Sequence, residues 1–255
     1  MTRPFTHTLA LTLCSTAAFL PTSVRAQVAP SGGIEVATDE ARRGLSWSEG
    51  RAVLSADAAA SLGRIDATAR VTTLRNADRH AGADAVVDVM LATGWDLGAV
   101  TLRTSATGHL FAGARTGMDY AEIGASARYS YGPARLVGGI EFAPSQDALG
   151  GSNVYLYANA DAGIPGTPYT LLAGIGHSSG TTTDPLRIQR LRPGGSYTDW
   201  RLGVERQQGP LTLGVDYIGT DIARADATGP FADARHIGDR IVARARLGFD
   251  PAGAH

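Results

Sequence analysis

The chain carries one cysteine, no lysine, no excess of charge and, after its first two dozen residues, no long apolar run. Each absence excludes something. Cysteine occurs once in 255 residues, at Cys14, so no disulfide framework holds the chain together. The formal net charge is −1 and all 23 basic residues are arginine. A nucleic-acid binder shows a basic patch, so nucleic acid is not an expected partner. The arginine-only usage is read as a codon-composition effect. No later segment stays apolar over the roughly 18 residues that a transmembrane helix needs. The histidines (His7, His80, His109, His177, His236, His255) show neither H-x-x-H nor H-E-x-x-H spacing, so no metal site is expected. Gly138-Gly139 and Gly150-Gly151 are not followed by Gly-Lys-Ser/Thr, so they are not phosphate loops, and no cofactor is expected.

What is present begins with the N-terminus. Arg3 precedes an apolar stretch, Leu9 to Leu20, which Pro21 ends. Val24-Arg25-Ala26 then places small residues where a signal peptidase reads. Residues 1–26 are therefore expected to be a cleaved secretory signal peptide, and 27–255 a single barrel domain. The stretch is too short to span a bilayer as a helix. Leu13, rather than a small residue, precedes Cys14, which argues against a lipoprotein anchor.

The rest alternates with a period of two. Ile65, Ala67, Ala69 and Val71 share one face, against Asp66, Thr68, Arg70 and Thr72. Val87, Val89, Leu91 and Trp95 oppose Asp88, and Ile123, Ala125, Ala127, Tyr129 and Tyr131 oppose Glu122, Ser126 and Arg128. About twelve such segments are counted, with ten as the alternative. Short turns such as Gly63-Arg64, Asp96-Leu97-Gly98, Gly132-Pro133 and Gln208-Gly209-Pro210 alternate with longer polar links. These links are 43–51, 75–82, 111–118, 144–151, 179–196 and 221–236. The pattern predicts an all-β fold: a closed antiparallel transmembrane β-barrel with short periplasmic turns and longer extracellular loops.

Two features point the apolar face at lipid. No Asp, Glu or Arg falls on that face in any assigned strand, where a basic residue at the bilayer midplane would cost roughly 2–4 kcal/mol. Its aromatic residues sit at strand ends. Trp95, Tyr131, Tyr169 and Phe249 lie at the turn side, and Phe142, Trp200 and Tyr217 at the loop side. That makes two interfacial girdles. The opposite face is expected to line a lumen through Glu35, Asp57, Asp66, Asp88, Glu122, Glu141, Asp161, Glu205 and Asp216, with Arg70, Arg103, Arg128, Arg135, Arg201, Arg244 and Arg246. Paired charges there would cross-link and narrow the lumen, and unpaired ones would line water.

Several stretches resemble the TorF family of porins. Val36-Ala37-Thr38-Asp39-Glu40-Ala41-Arg42-Arg43-Gly44-Leu45-Ser46 is similar to its opening S-D-Y-x-x-R-G-x-S, with Glu40 at the aromatic position. Tyr197-Thr198-Asp199-Trp200-Arg201-Leu202-Gly203-Val204 and Leu211-Thr212-Leu213-Gly214-Val215-Asp216-Tyr217-Ile218-Gly219-Thr220-Asp221 are similar to two later strands. The resemblance implies an outer-membrane barrel of the porin class, with no defined substrate and no catalytic set.

The expected function is passive diffusion of small hydrophilic solutes or ions across the outer membrane of a Gram-negative bacterium. The expected partners are outer-membrane lipid and lipopolysaccharide, the barrel-assembly machinery and the solutes. No enzyme activity is expected. Two alternatives stay open. One is a lumen-closed structural or adhesive barrel. The other is a lipid-modifying hydrolase using His177 and Ser179, with Asp184 or Asp199 as the carboxylate that orients the histidine. Gly176-His177-Ser178-Ser179-Gly180 matches G-x-S-x-G, but Thr181-Thr182-Thr183-Asp184-Pro185 is no helix start, so a nucleophile elbow is not expected.

Overall fold

The computed structural model describes residues 30–249. The signal peptide expected over residues 1–26 lies outside them. Fourteen strands follow in order: β1 (Ser31–Ala37), β2 (Ala41–Arg42), β3 (Leu45–Ser46), β4 (Val53–Leu62), β5 (Ile65–Ala77), β6 (Ala83–Leu97), β7 (Val100–Ala112), β8 (Tyr120–Tyr131), β9 (Ala134–Gln146), β10 (Gly151–Gly163), β11 (Tyr169–Ser179), β12 (Tyr197–Gln208), β13 (Leu211–Thr220) and β14 (Arg240–Phe249). Twelve of them form one closed antiparallel barrel, while β2 and β3 pair only with each other. The barrel closes through β1, which runs against β14 from Gly32↔Phe249 to Ala37↔Arg244 and against β4 from Ser31↔Ala59 to Ala37↔Val53. Closure leaves no unpaired strand edge, the condition for a sheet to sit in hydrocarbon.

The period-two pattern sets which face points out. Large apolar side chains on the outward face remain exposed in the isolated chain, among them Ile123, Ile175, Leu202 and Ile241, the last at 71%. A water-soluble barrel would have turned them inward. Trp95, Tyr131, Phe142, Tyr169, Tyr217 and Phe249 are exposed on this face, and Trp200 is half-buried over Gly219. Arg206 continues the outward phase beyond Val204, but at the turn-side end of β12, where a long basic side chain can reach the interface.

Several strands outrun their sequence pattern. Arg75 and Asn76, expected in a loop, adopt left-handed φ of 58° and 60°. They form an irregularity inside β5, between Thr73 and Ala77, after which pairing with β6 resumes at Ala77↔Ala83. Such a bulge is invisible to a simple alternation rule because it shifts the phase.

The connections at one end are two to five residues long. Those at the other end include 38–52, 180–196 and 221–239. The long ones fold back over the barrel mouth. There Leu45, Trp47, Leu74, Phe111, Met118, Tyr120, Leu149, Leu191, Tyr197 and Ile237 form a buried apolar core.

Candidate functional site

The first long connection turns inward. Residues 41–46 form a hairpin whose two-residue turn, Arg43-Gly44, has φ of 50° and 73°. Left-handed geometry at both central positions is the tight turn that matches strand twist, and glycine takes it without strain. Asp39 organises the base of the hairpin. Its Oδ1 accepts from Ser46 Oγ at 2.5 Å and lies 2.9 Å from Ser48 Oγ, while its Oδ2 accepts from Arg240 Nε at 2.8 Å. Trp47 N donates to Glu40 O at 2.7 Å.

The hairpin crosses the lumen from wall to wall. On one side Arg42 is bidentate to Asp88, at 2.7 and 3.1 Å, and reaches Glu40 at 2.7 Å. Arg43 bonds both oxygens of Glu122, at 2.7 and 2.8 Å, and also Glu141. His109 lies between these pairs, with Nδ1 2.7 Å from Asp88 and Nε2 3.3 Å from Glu122, its ring stacked 4.3 Å from Tyr120. On the far side Tyr197 Oη donates to Arg43 O at 2.9 Å, and Arg240 NH1 donates to Gly44 O at 2.9 Å. A Cβ on Gly44 would stand 2.5 Å from Thr220 Cγ2 and 2.7 Å from Asp199 Cβ. Asp88 on β6 and Asp199 on β12 are six strands apart in a ring of twelve, which places them diametrically opposite.

Three stretches far apart in the sequence therefore meet at one point. Asp39, Arg43, Gly44 and Ser46 build the hairpin, and Tyr197, Asp199 and Thr220 receive its tip. No local pattern could bring them together, because they are joined by barrel closure.

Beneath the hairpin the lumen is open. A cavity of about 800 Å³ is lined by Glu35, Arg70, Asp88, Arg128, Arg135, Asp161, Arg201, Glu205, Asp216 and Arg244. A second, of about 630 Å³, is lined by Asp66, Arg103, Arg128 and the turn residues Gly63 and Arg64. Sharing Arg128 and Val137, the two are successive parts of one passage toward the turn side. Of the remaining sequence-selected lumen residues, Asp57 pairs with Arg246, while Glu122 and Glu141 hold the hairpin.

Most lumen charges are paired. Arg103 meets Asp66, Arg135 meets Asp161 and Arg201 meets Asp216, each at 2.7 Å. Arg70 meets Glu35 at 3.0 Å, and Arg244 contacts both Asp216 and Glu205. Among the described residues Arg128 has no carboxylate within 4 Å. Two glycines admit lumen tyrosines. The Tyr157 ring lies over Gly139 and the Tyr155 ring over Gly176, positions that a Cβ would occupy.

The hydrolase alternative loses its geometry here. His177 is exposed on the outward face of β11, with Nδ1 3.2 Å from Thr198 Oγ1. Asp199 instead accepts from Tyr155 Oη at 3.2 Å, and Asp184 accepts from the backbone N–H groups of Leu186 and Arg187. Neither candidate carboxylate reaches the imidazole. Gly176-His177-Ser178-Ser179 belongs to a strand, with Ser178 buried on the opposite face. The described residues contain no cluster of three His, Cys, Asp or Glu able to hold a metal.

Sequence reasoning missed the inward course of 38–52 and a group of buried arginines in the loops: Arg79, Arg190 and Arg192. Arg79 is the middle residue of a short 3-10 turn at Asp78–His80, and Arg190 closes another at Arg187–Arg190. Arginine in a polar link reads as solvated, and nothing local marks these as buried.

Twelve antiparallel strands closed on themselves, an apolar outer wall and a charged lumen bridged by a hairpin define a porin-like transmembrane β-barrel. The chain belongs to the Gcw_chp family, described as bacterial protein of unknown function, whose sequence profile matches residues 25–243. It is similar in structure to a NanC porin, with TM-score 0.55 and 11% identity over 87% of this chain and 99% of that one. It is likewise similar to a KdgM porin, with TM-score 0.51 and 8% identity over 86% of this chain and 96% of that one. At these identities the likeness is one of fold. No curated protein matches the sequence.

Proposed function

We propose that the protein is a porin-like channel of the Gram-negative outer membrane that admits small hydrophilic solutes or ions and is held shut at its loop-side mouth by the 38–52 hairpin. The observation that carries this reading is the wall-to-wall bridge. A charged, water-accessible lumen opens at the turn side and ends at Arg42 and Arg43, which grip Asp88, Glu122 and Glu141. The lumen charges belong to a passage for water and ions, since no core needs them. The likeness to NanC and KdgM porins and the TorF-like stretches support the same class. Export by the segment 1–26, insertion by the barrel-assembly machinery and contact with lipopolysaccharide at the loop side follow from this reading.

A second reading, a permanently closed structural barrel, is favoured by the apolar core of the mouth. Leu45 and Trp47 of the hairpin region belong to the same core as the loop residues Leu191 and Ile237, so the hairpin is seated by burial as well as by charge.

Conductance in a planar bilayer separates the two. The refolded wild type is expected to give rare openings. Arg42→Ser with Arg43→Ser, which leaves facing carboxylates to repel, is expected to give frequent, salt-dependent steps. Frequent large steps in the wild type would refute the hairpin as the closing element. Silence of both folded proteins would refute the channel and leave the structural barrel.

A further inference from the structure

The larger cavity of the passage holds one charge that nothing answers. Among the described residues, every carboxylate that lines it has an arginine within 4 Å. Its arginines are paired in the same way, with Arg128 as the one exception. Arg128 is exposed to the lumen and lies where the two cavities join, since it lines both. The row Asp96–Thr101–Arg128 crosses three strands. Asp96, however, lines only the turn-side cavity and accepts from Thr101 Oγ1 at 2.8 Å.

The neighbouring strand adds a second donor. Arg128 stands opposite Val137, and Arg135 is two residues away along β9 on the same lumen face. Such diagonal neighbours are roughly 7–8 Å apart, within the span that two arginine side chains can close around one polyatomic ion. Arg135 gives Nε to Asp161 at 2.7 Å, which leaves its two terminal nitrogens outside that ion pair. An unpaired guanidinium attracts anions, and its planar fork matches two oxygens of a carboxylate or phosphate. The cavities, of about 800 and 630 Å³, admit such an ion with its water.

We infer that Arg128, assisted by Arg135, binds the carboxylate or phosphate group of a small solute entering from the turn side. That the solute then crosses the membrane rests on the channel reading above, whereas binding needs only the open turn side. Arg64, the other unpaired arginine of the passage, sits in the turn Gly63-Arg64 and lines only the turn-side cavity. It therefore serves as the control for a diffuse field of positive charge.

The test is isothermal titration calorimetry of the refolded full barrel in a maltoside detergent and low-salt buffer. Inorganic phosphate and succinate are titrated separately, which tells phosphate from carboxylate solutes. The wild type is expected to bind at least one of them saturably. Arg128→Gln is expected to weaken that binding about tenfold or more, the worth of one charge-assisted pair. Arg64→Gln is expected to leave it unchanged. Both side chains are exposed, and neither has a carboxylate partner whose loss would unfold the barrel. No saturable binding of either anion, or equal affinity in wild type and Arg128→Gln, would overturn the inference. So would an equal loss in Arg64→Gln. Binding that depends on Arg128 in a barrel that never conducts would refute the channel and uphold the site.

Discussion

Gly44 is where chain geometry and the closed mouth depend on a single residue. Its φ of 73° is left-handed, and any Cβ would meet Thr220, Asp199 and the Gly219 carbonyl within 2.9 Å. Gly44→Val is expected to cost about 1–3 kcal/mol from backbone strain alone, with added displacement of the tip. A lower urea midpoint in detergent, together with more frequent openings, checks it. His80 gives a prediction of opposite character. Burial, then the nearby Arg190 and Arg79, hold its pKa well below the ordinary 6.5. The unfolded chain therefore binds a proton that the folded chain refuses. Stability from this group is complete above about pH 6.5 and falls as pH drops below it. His80→Gln is expected to flatten the upper part of that decline in unfolding midpoints measured between pH 7.5 and 5.

The strand is the element at which the lipid assignment can be tested. Leu202 sits midway along β12 on the outward face and is 59% exposed. Leu202→Arg is expected to destabilise the barrel in bilayers by roughly 2–4 kcal/mol, the penalty at the midplane, measured by equilibrium folding into vesicles. The three tryptophans offer an independent check. Trp95 is exposed on the outer wall and Trp200 is half-buried on it, whereas Trp47 is 3% exposed in the mouth core. Brominated lipid should quench Trp95 and Trp200 in single-tryptophan variants and leave Trp47 bright. Equal quenching of all three would mean that the hairpin does not reside inside the barrel.

For the molecule as a whole, the decisive property is that one passage has two unlike ends. The turn side opens into cavities of about 800 and 630 Å³. The loop side is closed twice, by ion pairs at Arg42 and Arg43 and by an apolar core above them. Both bear on the same hairpin, the ion pairs at its tip and the apolar core through Leu45 and Trp47. The double substitution of Arg42 and Arg43 should raise opening frequency, while Trp47→Ala should mainly lower stability, by about 3–5 kcal/mol for a buried aromatic. Scoring both variants for conductance and for melting midpoint would tell latch from packing.

The sequence by itself determined the wall. Alternation is local, so Ile65, Ala67, Ala69 and Val71 could be placed on one face against Asp66 and Arg70 without knowing any neighbour. Twelve such segments with short and long links then specify a closed antiparallel barrel. The interior was legible only as a set of charges. Which arginine meets which carboxylate, that 38–52 turns inward, and that Arg79 and Arg190 are buried were decided by the tertiary structure. Ring closure brings Asp88, Glu122, Tyr197 and Thr220, far apart in the chain, around Gly44. The energy of a contact belongs to a distance in space, and along one strand the sequence fixes only the side to which a residue points.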